Sequence, residues 1–247
     1  MPKFFVKENQ VNNNKITILG TDVNHIKNVL RLQLNENIQI CNSDNQENYL
    51  CKIKDISDEQ IKCDVLEKIE ETVEPVVKVT IFQGLPKSDK MELIIQKSVE
   101  LGVYSIAPVD MGRCIVKLNE KDKLKKIDRW QKISEVAAKQ CGRDIIPQIS
   151  NVTTVKEICS TIDDYDMIIV AYEKEKQNVL KNELKEIKQK GFKKIGFVVG
   201  PEGGLEEKDV EMLKTSGAKI VTLGKRILRT ETVALNVLSN IMYELEQ

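Results

Sequence analysis

Features that mark several common classes of protein are missing from this sequence. No run approaches the roughly 18 apolar residues of a membrane-spanning helix, and the N-terminal stretch MPKFFVKENQ has no apolar signal core with a cleavage site. The six cysteines are scattered and form no CxxC pair, which argues against a zinc site and against a disulfide framework. We therefore expect a cytoplasmic protein with reduced thiols, no metal and no membrane partner.

An excess of positive charge is also missing. The chain has 38 Lys+Arg and 38 Asp+Glu, and a neutral protein is a poor non-specific ligand of nucleic acid. The distribution is uneven, however, because residues 76–150 carry a net positive charge and the segments on either side do not. That zone can contact phosphates. Its lysines at 121, 123, 125 and 126 are equally typical of a solvated helix face.

The first 75 residues alternate short apolar and polar runs. KITILG, ENIQICNS, NYLCKIKDIS and QIKCDVLEKI, separated by polar clusters such as NSDNQEN, predict several strands and a small β module. One helical interruption is predicted at VNHIKNVLRL, where the spacing of His25, Val29 and Leu32 favours a single helix face. The composition changes near Pro75, so we expect one domain at 1–72 and a second at 73–247.

The second region alternates strands with helices. Apolar strands are predicted at VVKVTIFQGL, SIAPVDM, DMIIVAYE, KIGFVVG and AKIVTLG, with helices of about 10 to 15 residues or more between them. This order is typical of an α/β domain with a parallel sheet of about five strands, covered by helices on both faces. Ligands of such sheets bind at the carboxyl ends of the strands, which directs attention to three loops. They are GPEGG, GKRILRTET and the segment after DMIIVAYE.

The turn GPEGG (200–204) lacks the features of a phosphate site. A P-loop requires a lysine after its glycines, and a dinucleotide fingerprint requires GxGxxG after a strand. Here the turn carries Glu202 instead, and a carboxylate would repel a phosphate. The turn therefore favours a ligand without phosphates, such as one that carries positive charge. The alternative is that Gly200, Gly203 and Gly204 only allow a tight strand-to-helix turn.

The loop GKRILRTET is unusually rich in functional side chains. Thr230 is predicted as the N-cap of the last helix, with Glu231 in its first turn. Arg226 and Arg229 bring two permanent charges together beside backbone groups that are free to contact a ligand. The alternative for Arg229 is a surface ion pair with Glu231.

These motifs together resemble one enzyme family. VVGPEGGLEEKDVEML followed by VTLGKRILRTETVALNVL is similar to the cofactor-binding half of the RsmE family, the 16S ribosomal RNA (uracil-N3)-methyltransferases of the SPOUT superfamily. The likeness continues in GLPKSDKMELIIQKSVELGVYSIAPV, RWQKISEVAAKQCGRDIIPQI and HIKNVLRL, so it spans nearly the whole chain. Departures are Val233 for an alanine, Asn35 for a glycine, Cys114 for a serine, and Leu205 to Glu207 where a serine is common.

The resemblance implies both a fold and an activity. The C-terminal domain would be a SPOUT domain with a trefoil knot, and the N-terminal module a PUA-like β-barrel that helps to hold RNA. The protein would be a homodimer that uses S-adenosylmethionine to methylate N3 of one uridine in small-subunit ribosomal RNA, within the assembled subunit. A positively charged sulfonium without phosphates would agree with the carboxylate in GPEGG.

The resemblance also implies site residues. The cofactor-binding set is Gly200, Pro201, Glu202, Gly203, Leu223, Gly224, Ile227, Leu228 and Thr230. RNA contacts are predicted at Arg31, Arg113 and Lys117. Catalysis is predicted to use Arg229 and Arg143 to stabilise charge on the uracil, because arginine stays protonated, with Glu231 as a candidate base. No residue type in the pattern identifies the base uniquely.

Some alternatives stay open at the level of sequence. The chain could be an RNA- or protein-binding module with an inactive pocket, an RNA chaperone, or a related methyltransferase of transfer RNA. Glu202 could contact the ligand, cap the following helix or bind a partner subunit. His25 is assigned a structural or RNA role, and Trp130, among Ile127, Ile133 and Val136, core or dimer packing with base stacking as the alternative.

Overall fold

The structure, a computed structural model, describes residues 1–246, which form two compact units. The first comprises Met1–Glu74 together with Ala138–Ile146, and the second the remaining described residues. No local pattern in the sequence indicated that the segment 138–146 would join the first unit. The division into domains at 1–72 and 73–247 stays a prediction.

The first unit contains a six-stranded sheet. Its strands are β1 (Lys3–Val6), β2 (Val11–Asn12), β3 (Lys15–Leu19), β4 (Asn37–Asn42), β5 (Asn48–Ile56) and β6 (Gln60–Ile69). Their order in the sheet is β1-β4-β5-β6-β3-β2, antiparallel except for the parallel pair β1 and β4. The predicted strands are confirmed. Strand β1 was not predicted, because KFFV has no alternating pattern and gains its place by long-range pairing of Lys3 with Gln39.

A short helical segment follows β3. Helix α1 (Thr21–Asn24) continues into a π-helical turn, His25–Val29, so the predicted helical interruption is confirmed. The predicted single face is not, because the segment ends before Leu32 and Val29 is exposed. Val23 and Ile26 are buried in the core formed by the alternate residues of the strands. The His25 ring meets the Phe4 ring edge to face at 6.2 Å between centroids, a contact that fits a structural role for His25.

The second unit contains a seven-stranded parallel sheet. Its strands are β7 (Lys78–Gly84), β8 (Ser105–Asp110), β9 (Gln148–Ile149), β10 (Thr153–Thr154), β11 (Met167–Ala171), β12 (Lys194–Val199) and β13 (Lys219–Val221). The order is β10-β8-β7-β12-β11-β13, with β9 also paired to β8. All five predicted strands are confirmed, and β9 and β10, two residues each, are additional because so short a pairing leaves no periodic signal.

Six helices connect or flank these strands. They are α2 (Lys90–Glu100), α3 (Glu120–Cys141), α4 (Val155–Ser160), α5 (Leu180–Lys190), α6 (Glu207–Thr215) and α7 (Thr230–Leu245). Asp89 is the N-cap of α2, and Gly191 ends α5 in the left-handed conformation that glycine favours. Helix α4 was not predicted.

The helices of the second unit fall into two packed groups. Helix α7 contacts both α2 and α5, and α4 contacts α6, as expected for helices on both faces of a parallel sheet. The strands between them are almost wholly buried and apolar. Trp130 on α3 is 4% exposed, which confirms the packing role predicted for it. Val136, which the helical spacing grouped with it, is 68% exposed.

The residues that the structure describes contain neither a membrane-spanning helix nor a cluster of potential metal ligands. No described helix has the length and apolar character needed to cross a bilayer. Within residues 1–246 there is also no group of three or more His, Cys, Asp or Glu side chains able to hold a metal ion.

Candidate functional site

A cavity of about 480 Å³ lies at the carboxyl ends of β11, β12 and β13 and at the start of α7. This is where ligands bind in open parallel sheets, and its volume is within the usual range for small-molecule sites. The lining residues are Lys90, Ala171, Tyr172, Glu173, Val199 to Leu205, Thr222 to Thr230, and Val233. Every residue predicted to bind the cofactor is in this set.

The GPEGG turn leaves β12 with its backbone tightly packed. A Cβ atom on Gly200 would lie 3.0 Å from the carbonyl carbon of Gly204 and 3.1 Å from the nitrogen of Leu205, so a larger residue would force the turn apart. Gly204 has a φ of +72°, which L side chains rarely adopt. Its N–H donates to the Pro201 carbonyl at 2.9 Å. The glycines therefore allow the tight turn to form, and the turn forms one wall of the cavity.

Glu202 is held by the segment that precedes α2. Its carboxylate accepts a hydrogen bond from the Lys87 backbone N–H at 3.1 Å and pairs with the Lys90 ammonium at 3.1 Å. Partial burial raises the pKa of Glu202, but hydrogen bonds from backbone N–H groups and from Lys90 outweigh it, so its pKa lies below the ordinary value. Glu202 is thus ionised and cross-links the turn to α2. It does not cap α6, whose N-cap is Glu206.

Glu231 shares the same lysine. Its Oε2 lies 3.2 Å from the Lys90 ammonium, although that oxygen is buried and has no partner with hydrogen-bond geometry. Pairing with the carboxylate of Glu202, and after it that of Glu231, raises the pKa of Lys90. Lys90 therefore bridges the GPEGG turn and the first turn of α7. The alternative that Arg229 pairs with Glu231 is wrong, because Lys90 takes that place.

Thr230 has a different role from the one predicted. The N-cap of α7 is Arg229, and Thr230 is the first helical residue, 5% exposed. Its hydroxyl donates to the Gly200 carbonyl at 2.7 Å and accepts from Gln83 Nε2 at 2.8 Å. The Thr230 side chain makes these tertiary hydrogen bonds and does not cap the helix, because the ends of β7 and β12 meet the start of α7 here. The result is a buried tie between the two cofactor loops.

Gln83 is a site residue that sequence reasoning missed. It is fully buried, and its Nε2 also donates to the Gly84 carbonyl at 2.9 Å. A polar residue at the end of the otherwise apolar strand VTIFQG was the signal in the sequence. A Cβ on Gly84 would lie 2.7 Å from Pro201 Cδ. The end of β7 therefore packs directly against the GPEGG turn.

The loop after β13 forms the opposite wall and is far less constrained. Gly224 has a φ of +107°, and Ile227 is 87% exposed. Lys225, Arg226 and Arg229 are exposed, and none of them has an ion-pair or side-chain hydrogen-bond partner within residues 1–246. The rim of the cavity thus presents unpaired cations, which suits a polyanionic substrate.

The segment after β11 supplies the third wall. Tyr172 and Glu173 follow the strand directly and line the cavity. The sequence indicated this segment as a candidate loop but did not identify these two side chains. Lys90 was missed as well, since a single lysine at a helix start has no pattern that separates it from a solvated one.

Arg143, predicted to be catalytic, lies in the first unit and does not line the cavity. It is 5% exposed, and its guanidinium binds the Glu74 carboxylate through Nε at 2.9 Å and Nη2 at 2.5 Å. The neighbouring Asp144 is also buried and pairs with Lys3. These contacts identify a structural ion cluster, and a catalytic role for Arg143 stays a prediction.

The residues predicted to bind RNA have different surroundings. Arg31 is exposed on the first unit, with a φ of +54°. Arg113 is exposed and donates from Nη1 to the Gly203 carbonyl at 3.0 Å, so it touches the GPEGG turn. Lys117 pairs with Asp110 at 2.9 Å, and that hydrogen bond raises the pKa of Lys117. Their contacts with RNA stay predictions.

Comparison with known proteins gives a consistent result. A family model described as an RNA methyltransferase domain matches residues 72–242, and one described as an RNA methyltransferase PUA domain matches residues 18–66. Ribosomal RNA small subunit methyltransferase E of Bacillus subtilis is 39% identical over 233 residues, covering 93% of this chain and 90% of that protein. The enzyme of the same name from Mesomycoplasma hyopneumoniae is 34% identical and covers 97% of this chain and 98% of its own.

A solved structure extends the likeness to three dimensions. Ribosomal RNA small subunit methyltransferase E from Neisseria gonorrhoeae, crystallised with S-adenosyl methionine, superposes with a TM-score of 0.86 at 30% identity. The alignment covers 98% of this chain and 97% of that one. The likeness therefore includes both units and the whole of the cavity.

Proposed function

Since this chain belongs to the ribosomal RNA small subunit methyltransferase E family, we propose that it methylates N3 of a uridine in small-subunit ribosomal RNA with S-adenosylmethionine as the methyl donor. The observation that carries the proposal is the cavity between GPEGG and the LGKRILRT loop, at the ends of β12 and β13. The family-wide identity extends over both units, so the substrate assignment rests on the whole chain.

The residues of the cavity fit the proposed donor. A nucleotide with phosphates would require a lysine or free backbone N–H groups at the glycine turn, and this turn has a carboxylate that is already ionised. The loop 222–228 offers backbone groups and apolar side chains for an adenine and a ribose, in particular Leu223, Gly224 and Ile227. Its volume and its mixture of apolar walls with a few polar groups are typical of such a site.

The protein's contribution is chiefly alignment and charge. S-adenosylmethionine supplies a methyl group already activated on a sulfonium, so an N–C bond forms as the S–C bond breaks and the N3 proton is lost. Holding the reacting groups in line contributes roughly 7 to 11 kcal/mol to such a transfer. We assign to Arg229, unpaired at the rim, the stabilisation of negative charge on the uracil as N3 loses its proton.

Glu231 is a weaker candidate for the base than the sequence suggested. Its carboxylate is occupied by Lys90 and lies outside the set of lining residues. A base within hydrogen-bond reach of N3 requires a group that the RNA itself can approach. We therefore propose that Glu231 orders the start of α7 and leave the base unassigned.

We also propose for this protein the knot, the dimeric state, the cellular location and the domain roles that its family membership suggests. The C-terminal segment would form a trefoil knot, in support of which the ends of β7 and β12 and the start of α7 contact one another through Gln83, Gly200 and Thr230. The protein would act in the cytoplasm as a homodimer on the assembled subunit. The first domain, 1–72, would be a PUA-like barrel that contacts RNA, and 73–247 the SPOUT domain.

The experiment that tests the function uses its proposed substrate directly. The protein is incubated with S-adenosylmethionine and small ribosomal subunits from a bacterial strain lacking the corresponding enzyme, and the modified nucleotide is mapped by mass spectrometry. We expect one N3-methyluridine in the small-subunit RNA. Methylation of transfer RNA instead, or of no RNA despite binding of the donor, would refute the assignment. Free ribosomal RNA, tested in parallel, decides whether assembly is required.

A further inference from the structure

Two acidic side chains line the cavity, Glu202 and Glu173, and they differ in whether a cation already neutralises them. Glu202 and Glu231 share the Lys90 ammonium, at 3.1 and 3.2 Å. Glu173 also lines the cavity but has no ion-pair or hydrogen-bond partner within residues 1–246. It is therefore the one carboxylate in the described lining whose negative charge is left for a ligand.

The neighbours of Glu173 in the chain are committed to other contacts. The Lys174 ammonium pairs with Glu207 at 2.5 Å, so it is drawn to α6 and does not neutralise Glu173. The Glu175 carboxylate accepts hydrogen bonds from the backbone N–H groups of residues 176, 177 and 178. Two of three consecutive charged residues thus have a structural role, and Glu173 has none.

The Glu173 carboxylate lies beside the GPEGG turn. A Cβ atom built on Gly204 would lie 3.0 Å from Glu173 Oε1, closer than ordinary van der Waals contact. The carboxylate therefore lies close to the bare backbone of the turn, at the end of an exposed side chain. The glycine at 204 is needed by the turn itself, because its φ of +72° is unfavourable for other residues.

We infer that Glu173 is the counter-charge to the sulfonium of the methyl donor, and that it makes the cavity prefer the donor over its demethylated product. This inference rests on the proposed function. A sulfonium carries a fixed positive charge, and S-adenosylhomocysteine has a neutral thioether at the same place. Apart from that charge the two ligands differ only by the methyl group on sulfur, so a carboxylate at this wall distinguishes them by charge.

The preference has a consequence for turnover. Transfer of the methyl group removes the positive charge from the bound molecule, and Glu173 then has no cation to face. Its attraction for the ligand falls at the moment the product forms, which favours release of S-adenosylhomocysteine and entry of a new donor. Glu173 is in this sense a specificity residue for the cofactor and has no part in proton transfer.

Isothermal titration calorimetry of the full chain tests the inference without any activity measurement. S-adenosylmethionine and S-adenosylhomocysteine are titrated separately into the unaltered protein and into Glu173→Gln. We expect the variant to bind the donor about three- to tenfold more weakly, as for one partly screened charge pair, and the product within about twofold of the unaltered protein on the same grounds. Donor binding should also weaken with added salt in the unaltered protein more than in the variant.

Two further variants separate charge from shape. Glu211→Gln removes the same unit of charge from an exposed side chain that does not line the cavity, and should leave both affinities unchanged. Glu173→Asp keeps the charge and should retain most of the preference for the donor. Thermal melts of all variants check that each is folded.

Different outcomes would refute the role of Glu173 and the proposed function. Equal weakening of donor and product by Glu173→Gln, or no weakening of either, would overturn the role of Glu173 while leaving the proposed function intact. Failure of the unaltered, folded protein to bind either ligand would refute the proposed function itself.

Discussion

The two arginines predicted from the sequence to be catalytic lie in opposite surroundings. Arg143 is buried in the first unit and bound by Glu74 through two nitrogens, next to a second buried pair of Lys3 and Asp144. Arg229 lies exposed at the rim of the cavity with no partner among the described residues. A guanidinium whose donors are satisfied contributes to stability, whereas one whose donors are free can bind a substrate. The same residue type in two recognised motifs thus has two different physical roles.

Removing the free arginine should give the largest effect. Arg229→Ala is expected to lower turnover about 100- to 1,000-fold, the range for loss of one charge-stabilising donor, because no other assigned group faces the uracil anion. Donor affinity by calorimetry should stay within about threefold, since binding and charge stabilisation are separate contributions. Near-normal methylation by the folded variant would refute the catalytic role of Arg229.

Breaking the buried cluster should change stability and leave the chemistry intact. Glu74→Gln removes the carboxylate that binds the buried Arg143 guanidinium through two nitrogens, and we expect a loss of about 3 kcal/mol in the free energy of unfolding, as for other broken buried pairs. Chemical denaturation measures it, with the exposed Glu71→Gln as the matched control. If Glu74→Gln and Arg143→Met variants remained stable but lost methylation by orders of magnitude, Arg143 would have to be restored to the catalytic set.

The buried tie at Thr230 should give a smaller, mixed effect. Thr230→Val removes the hydroxyl that joins Gln83 to the Gly200 carbonyl and leaves that carbonyl buried without its donor. We expect a loss of about 1–3 kcal/mol in stability and weaker donor binding by calorimetry, because both cofactor loops meet here. Thr230→Ser, which keeps the hydroxyl, and the exposed Thr232→Val should each stay close to the unaltered protein. Full donor affinity in Thr230→Val would show that the tie does not support the cavity.

The smallest effect should be seen in acid. Burial raises the pKa of Asp144, but hydrogen bonds from Lys3, Thr72 and the Val73 N–H outweigh it, so its pKa in the folded chain lies below the ordinary 3.8. A lowered carboxylate pKa contributes stability that is present above that ordinary value and is lost as the pH falls through the folded pKa. Melting temperatures of the unaltered protein and Asp144→Asn should therefore converge below about pH 4. A gap that stayed constant across this range would contradict the ionised state of Asp144.

Local patterns in the sequence were sufficient to predict most of the strands and helices. Strands such as KIGFVVG and helices such as ETVALNVLSNIMYEL have the periodicity and end signals that determine them locally, and both are confirmed. Strand β1 and the joining of 138–146 to the first unit depend on partners far away in the chain. Pairings of that kind leave no mark in a short window of sequence.

In the candidate site, too, local features could be predicted and contacts between distant residues could not. Its backbone elements were predicted, because glycine turns after parallel strands and the likeness of GPEGG and LGKRILRT to a known family both indicate them. Its side-chain connections were not. The bridge of Lys90 to Glu202 and Glu231, the tie through Gln83, and the unpaired state of Glu173 are consequences of which loops meet in space. Thr230 as a helix cap was wrong for this reason.

The central claim is that the two C-terminal turns, 200–204 and 222–230, enclose a sulfonium methyl donor. A crystal structure of the full chain grown with S-adenosylmethionine tests it most directly. We expect the donor in this cavity, with its sulfur nearest to Glu173 and Arg229 at the open side. A donor bound elsewhere, or a cavity that excludes it and accepts a nucleoside triphosphate, would contradict the account.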